Sequence, residues 1–163
     1  MDRRPKLDKP PLVLLLVTAQ CDEEFVVRCL CQMRQKNINV WLVGLYPGPV
    51  AGINAVWLRP DESLADVDSI LQGESPRLLI LSGPDHCTLQ LLLNPRVSDL
   101  IETTLQDGGC VAASSAKTEE ILRRSGLVLA ERDPCFLFQD HRPMAIFIDQ
   151  LLAQTASWQE QVY

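Results

Sequence analysis

After a proline-containing start, the chain runs into Leu12-Val13-Leu14-Leu15-Leu16-Val17 and Thr18, six apolar residues without a polar break. Such a run predicts a strand over 12–18 that is buried on both faces, as in parallel sheets. Asp22 then offers an N-cap. Phe25 (or Val26), Cys29, Leu30 and Met33 recur at helical spacing, which predicts a helix to about Lys36. Residues 40–45 form a second apolar strand. Tyr46-Pro47-Gly48-Pro49 is a turn cluster, and residues 56–60 are a short strand ended by proline. Residues 61–66 start a small helix or turn, and Leu78-Leu79-Ile80-Leu81 centres a strand over 77–82 that stops at Ser82-Gly83-Pro84. Asn94-Pro95 is a cap followed by proline at the first helical position, with Val97, Leu100, Ile101 and Leu105 as the apolar stripe and Gly108-Gly109 as the stop. Cys110-Val111-Ala112-Ala113 is a strand that turns through Ser114-Ser115 directly into a helix closed by Gly126. Leu127-Val128-Leu129 and a charged turn lead to a strand at Phe136-Leu137-Phe138. A last helix begins near Pro143, with Met144, Phe147, Ile148, Leu151 and Leu152 on one face. Strands alternating with helices predict an α/β fold, a three-layer sandwich whose mostly parallel sheet is covered on both sides. A single domain is expected over 12–156, between a flexible tail at 1–11 and a C-terminal tail at 157–163.

Composition narrows the classes of partner. Of 163 residues, 47% are hydrophobic and 22% charged, which is ordinary for a globular chain. The net charge of −6 argues against nucleic acid, because phosphate binding needs a basic face. The one basic cluster, Arg3, Arg4, Lys6 and Lys9, is interrupted by Asp2 and Asp8. Ahead of the first apolar run it faintly resembles an export signal ending at Cys21. That run is short, however, Pro10 and Pro11 precede it, and Gln20 is a poor residue before a cleavage site. A buried strand explains the same residues. No run reaches transmembrane length, so a cytoplasmic protein without membrane contact is expected.

Six cysteines are spaced irregularly, without a Cys-x-x-Cys. The expectation is reduced thiols packed as small hydrophobes, with Cys29, Cys110 and Cys135 in the core. Only His86 and His141 could join them as ligands, so no metal and no cofactor is expected. His141, at the start of the last helix, reads as a surface or cap residue. Trp57, Trp158 and Tyr163 either fold back onto the domain or mark a contact surface.

The strand–helix junction at Ser115 is where chemistry would sit. A strand that turns at once into a helix sets its turning residue at the C-terminal sheet edge, facing the helix's free N–H groups. A serine hydrolase can be written with Ser115 as nucleophile, His86 as base and Asp85 as orienter. Adjacent residues make that carboxylate–imidazole pairing awkward. Cys21 and Cys87 lie just past strand ends and offer a relocated nucleophile or a redox pair.

The order of parts resembles the ThiJ/PfpI superfamily, a class I glutamine amidotransferase-like, flavodoxin-like group that includes the parkinsonism-associated deglycase family. The resemblance is carried by Asn39-Val40-Trp41-Leu42-Val43-Gly44-Leu45, by Pro60-Asp61-Glu62-Ser63-Leu64-Ala65-Asp66 and by Leu78-Leu79-Ile80-Leu81-Ser82-Gly83-Pro84. It continues through Asn94-Pro95-Arg96-Val97, Gly109-Cys110-Val111-Ala112-Ala113-Ser114-Ser115-Ala116 and Ile121-Leu122-Arg123-Arg124-Ser125-Gly126-Leu127. Family enzymes act through a cysteine at the elbow; the matching position is Ser115, and a hydroxyl needs a general base where a thiolate does not. The family's acidic residue falls at Phe25, and only a register shift brings Glu23 or Glu24 there. Pro84 replaces a glycine of the oxyanion loop and has no N–H to donate, although Gly83 keeps one. Lys117 replaces the glycine after the elbow, and the segment that often carries a histidine is shortened.

The resemblance therefore implies a catalytically degenerate protein, truncated relative to the family. The expected role is a regulatory, scaffolding or small-ligand-sensing module, acting as a homodimer or on a protein partner. Its small-molecule pocket is expected around Cys21, Glu24, Gly83, His86, Cys87, Ser114 and Ser115. The alternatives are a serine-dependent amidase or esterase using Ser115, with His86, and a cysteine redox sensor.

Overall fold

In a computed structural model of the chain, residues 11–126 and 135–160 are described, the side chains of 155–160 excepted. The chain runs β1 (Leu12–Val17), α1 (Glu23–Gln35), β2 (Asn39–Gly44), β3 (Val50–Ala51), β4 (Trp57–Leu58), β5 (Glu62–Ser63) and a 3-10 turn (Leu64–Asp66). It continues with α2 (Val67–Leu71), β6 (Leu78–Leu81), α3 (Asp85–Leu92), α4 (Pro95–Gln106), β7 (Cys110–Ala113), α5 (Lys117–Arg124), β8 (Cys135–Phe138) and α6 (Met144–Glu160). Six strands form one parallel sheet in the order β5-β2-β1-β6-β7-β8. The expected α/β sandwich is the observed one.

The apolar runs explain the layering. Residues of β1, β6 and β7 point alternately to the two faces, and both faces are covered, so every residue of β6 and β7 is buried. On one face Val13, Leu15, Ile80 and Ala112 pack with Phe25, Cys29 and Met33 of α1 and with Phe147, Ile148 and Leu151 of α6. The Phe25 and Phe147 rings lie 5.9 Å apart. On the other face Leu14, Leu16, Leu79 and Val111 meet Val67 of α2, Leu91 of α3, Leu100 and Ile101 of α4 and Leu122 of α5. The predicted caps are present: Asp22 Oδ1 accepts from Phe25 N–H and Asn94 Oδ1 from Arg96 N–H. Gly126 closes α5 at φ 76°.

The short strand expected over 56–60 is present at Trp57–Leu58, and it pairs with Val50 and Ala51 in an antiparallel hairpin separate from the main sheet. Residues 85–92, for which the sequence predicts no element, form α3; its buried residues Cys87, Thr88 and Leu91 give too few apolar points to show a helical period. Cys110 and Cys135 are not reduced thiols: they form a disulfide with Cα atoms 4.6 Å apart. They face each other because β7 and β8 pair Cys110 directly with Cys135, a register that spacing in sequence does not reveal. The other four cysteines are free: Cys21, Cys29 and Cys87 are buried, and Cys31 is exposed.

Residues 1–10 of the tail expected over 1–11, the Leu127-Val128-Leu129 run with its charged turn, the side chain of Trp158, and Tyr163 lie outside the described residues. Among the described residues no helix is long and apolar enough to cross a membrane.

Candidate functional site

β1 lies between β2 and β6, so the chain reverses its direction of travel across the sheet beside β1. The C-terminal edge at such a reversal is where open α/β sheets place their sites. Cys21 follows β1 and Cys87 sits in the first turn of α3 after β6, both fully buried. Cys87 Sγ donates to Ala19 O at 3.5 Å. Burial pushes the Cys21 thiol up to about 11, with Glu23 adding to the shift. Burial does the same to Cys87, with Cys21 adding, again to about 11. These thiols stay protonated at neutral pH, the reverse of what a nucleophilic cysteine needs.

Beside them a carboxylate holds the hairpin. Glu23, only 4% exposed, accepts from Asn54 N–H at 2.7 Å, Asn54 Nδ2 at 2.6 Å and Val56 N–H at 3.3 Å. The backbone adds Gln20 N–H to Ala51 O and Ile53 N–H to Cys21 O, each at 2.9 Å. Gly52 lies against that carboxylate, and a Cβ there would overlap it. The acidic residue that the structure buries is therefore Glu23. Glu24, expected at the pocket, faces solvent and pairs with Arg28 at 2.9 Å.

The elbow after β7 is closed from both sides. Ser114 Oγ donates to Gly83 O at 2.8 Å, which ties the elbow to the loop after β6. From the other side, Gln139 N–H donates to Ala113 O at 3.1 Å and Asp140 N–H to Ser114 O at 2.8 Å. Ser115 Oγ accepts from Lys117 N–H at 3.2 Å, so the hydroxyl serves the first turn of its own helix. Ala116 N–H, the donor immediately after the elbow, is taken by Asp140 Oδ1 at 2.8 Å. An acyl-transfer site would need that N–H for a developing oxyanion; here a carboxylate already sits on it.

Among the described residues neither His86 nor Asp85 hydrogen-bonds Ser115. His86 is exposed on the first turn of α3, and His141 is exposed ahead of α6. The structure thus brings Gly83, Ser114 and Ser115 together, sets Cys21 and Cys87 beside one another at the neighbouring strand ends, and turns Glu24 away. A surface depression of about 500 Å³ runs along α5 past Ala116, Glu119 and Arg123, and one of about 160 Å³ lies by Asp68, Arg96 and Asp99. Neither reaches Ser115 or the two buried thiols. Asp140 was not singled out by the sequence. It stands in a polar turn, and only its left-handed backbone, φ 49°, aims it at the elbow.

No protein-family model matches the chain, and no curated protein sequence matches it. Solved structures do. Drosophila melanogaster DJ-1beta is 19% identical with a TM-score of 0.72, over 91% of this chain and 90% of that one. Oxidized Toxoplasma gondii DJ-1 is 14% identical with a TM-score of 0.73, over 93% and 97% of the two chains. A DJ-1/ThiJ/PfpI-like and ferritin-like two-domain protein from Anabaena variabilis is 12% identical with a TM-score of 0.71, over 90% of this chain and 48% of that one. The fold of this chain is that of the DJ-1/ThiJ/PfpI superfamily.

Proposed function

We propose that this chain is a non-catalytic protein of DJ-1-like fold that works by binding, as a regulatory, scaffolding or small-ligand-sensing module. One observation carries the reading. The elbow hydroxyl accepts from Lys117 N–H with no base beside it among the described residues, and the elbow N–H of Ala116 is taken by Asp140. A serine nucleophile needs a positioned base and free oxyanion donors; among the described residues no base hydrogen-bonds Ser115, and the donor next to the elbow is occupied. An apolar rim on and beside the β3–β4 hairpin suits a binding role, with Trp57 69% and Tyr46 65% exposed. A second copy of the chain or another protein is the expected partner.

The test is turnover on a panel of esters, amides and α-oxoaldehydes, with Ser115→Ala run alongside. Equal background in both proteins is the expected result. Activity in the wild type that vanishes in the variant would make Ser115 a nucleophile and overturn the reading. The redox alternative is not supported at Cys21 and Cys87, because their buried thiols resist ionisation.

A further inference from the structure

We propose that the Cys110–Cys135 disulfide is a redox-operated clamp on the elbow. Closed, it holds edge strand β8 in register and keeps Asp140 on Ala116 N–H. Reduced, it releases β8 and frees that donor. The proposal deepens the binding reading, since it rests on Asp140 being what closes the elbow.

Edge strand β8 joins the core only at its rim, Leu137 packing against one cluster and Phe136 and Phe138 against the other. It is the outermost strand and pairs with β7 alone. All four of its residues are half-buried, whereas all four of β7 are buried. Downstream, α6 is anchored in the core by Phe147, Ile148 and Leu151, so it stays docked when β8 loosens. The segment between these anchors carries the closing contacts: Gln139 N–H to Ala113 O, Asp140 N–H to Ser114 O and the Asp140 carboxylate to Ala116 N–H. They extend the β7–β8 pairing directly, so their geometry follows the register of β8. Among the described residues the Cys110–Cys135 bond is the one covalent tie that fixes this register.

The bond is also reachable from one side. Cys135 is half-buried while Cys110 is fully buried, so a small dithiol meets the Cys135 sulfur first. Its thiolate attacks Cys135 Sγ, the S–S bond breaks, and Cys110 leaves as a thiolate that takes up a proton. The second thiol of the reductant then displaces Cys135 from the mixed disulfide. The protein gains two thiols and the reductant becomes a cyclic disulfide.

The experiment is amide hydrogen exchange on the purified full chain, before and after mild dithiothreitol, with thiols counted by alkylation under denaturing conditions. The count should rise from the four free cysteines to all six. Amides of residues 136–140 and of Ala116 should then exchange about tenfold faster or more, with β1 and β6 unchanged. A Cys135→Ser variant should show the same pattern without reductant. Six thiols before reduction, or complete reduction without faster exchange at those amides, would overturn the clamp. So would equal loss of protection in β1 and β6, because the bond would then be a general staple. Ser115-dependent turnover in the oxidised protein would remove the non-catalytic reading and leave the exchange result standing, so the two failures are separable.

Discussion

Two carboxylates close the C-terminal edge of the sheet, Glu23 beyond β1 and Asp140 beyond β8, and each satisfies backbone N–H groups. Glu23 is nearly sealed from water and holds two main-chain donors and one side-chain donor at once. Asp140 is exposed and holds one. A buried carboxylate with several donors cannot leave without stranding them, so it acts as a pillar. An exposed carboxylate with a single donor exchanges that bond for water at little cost, so it can act as a latch. The same functional group is structural at one strand end and releasable at the other, and burial makes the difference.

The contrast can be broken most sharply at the sealed end. Glu23→Ala should lower stability by about 3 kcal/mol, since Asn54 and Val56 N–H lose a buried acceptor. Gly52→Ala should cost a similar amount, because its Cβ would overlap the Glu23 carboxylate and lie 2.9 Å from the Cys21 carbonyl. Urea unfolding reads both, and losses under about 1 kcal/mol would deny Glu23 the role of pillar.

The buried thiols at that end sharpen the comparison next. Cys21 and Cys87 ionise at about 11 in the folded chain, and Cys29 at about 12, against 9.0 for an ordinary thiol. At pH 8 exposed Cys31 should alkylate readily while these three lag. The labelling rates of Cys21 and Cys87 should climb about tenfold per pH unit until pH 11. The folded state keeps these protons from pH 9 upward while the unfolded state sheds them. Stability should therefore be steady below pH 9 and fall as pH rises through 11. Rapid labelling of Cys21 at pH 8 with the fold intact would contradict the sealed end.

The smallest effect belongs to Asp140. Asp140→Gly removes the carboxylate but eases a left-handed backbone, so stability should change by less than about 1 kcal/mol. The measurable change is faster exchange at Ala116 N–H. A loss matching that of Glu23→Ala would erase the distinction between pillar and latch.

Much of this arrangement could be read before folding. The wholly apolar strands, the Asp22 and Asn94 caps and the stripe of α6 declare themselves through local periodicity and local hydrogen bonding. Ser115 at a strand–helix junction was legible for the same reason. The partners of that serine were not. Glu23 and Glu24 are adjacent and identical in type, yet one is a buried anchor and the other a solvent-facing partner of Arg28. The helix phase against the hairpin decides between them. Asp140 and the Cys110–Cys135 pair are set by the register of two parallel strands whose bridged cysteines lie 25 residues apart in sequence.

The sequence alone therefore determined the α/β class, most of its elements in their order and the serine at the strand–helix junction, because residue identity and period are local properties. Only the tertiary structure decided that the elbow is closed by Asp140, that Glu23 rather than Glu24 is buried, and that two cysteines expected to be reduced are bonded. Each of those outcomes depends on which atoms meet across strands, and strand register exists only once the sheet has formed.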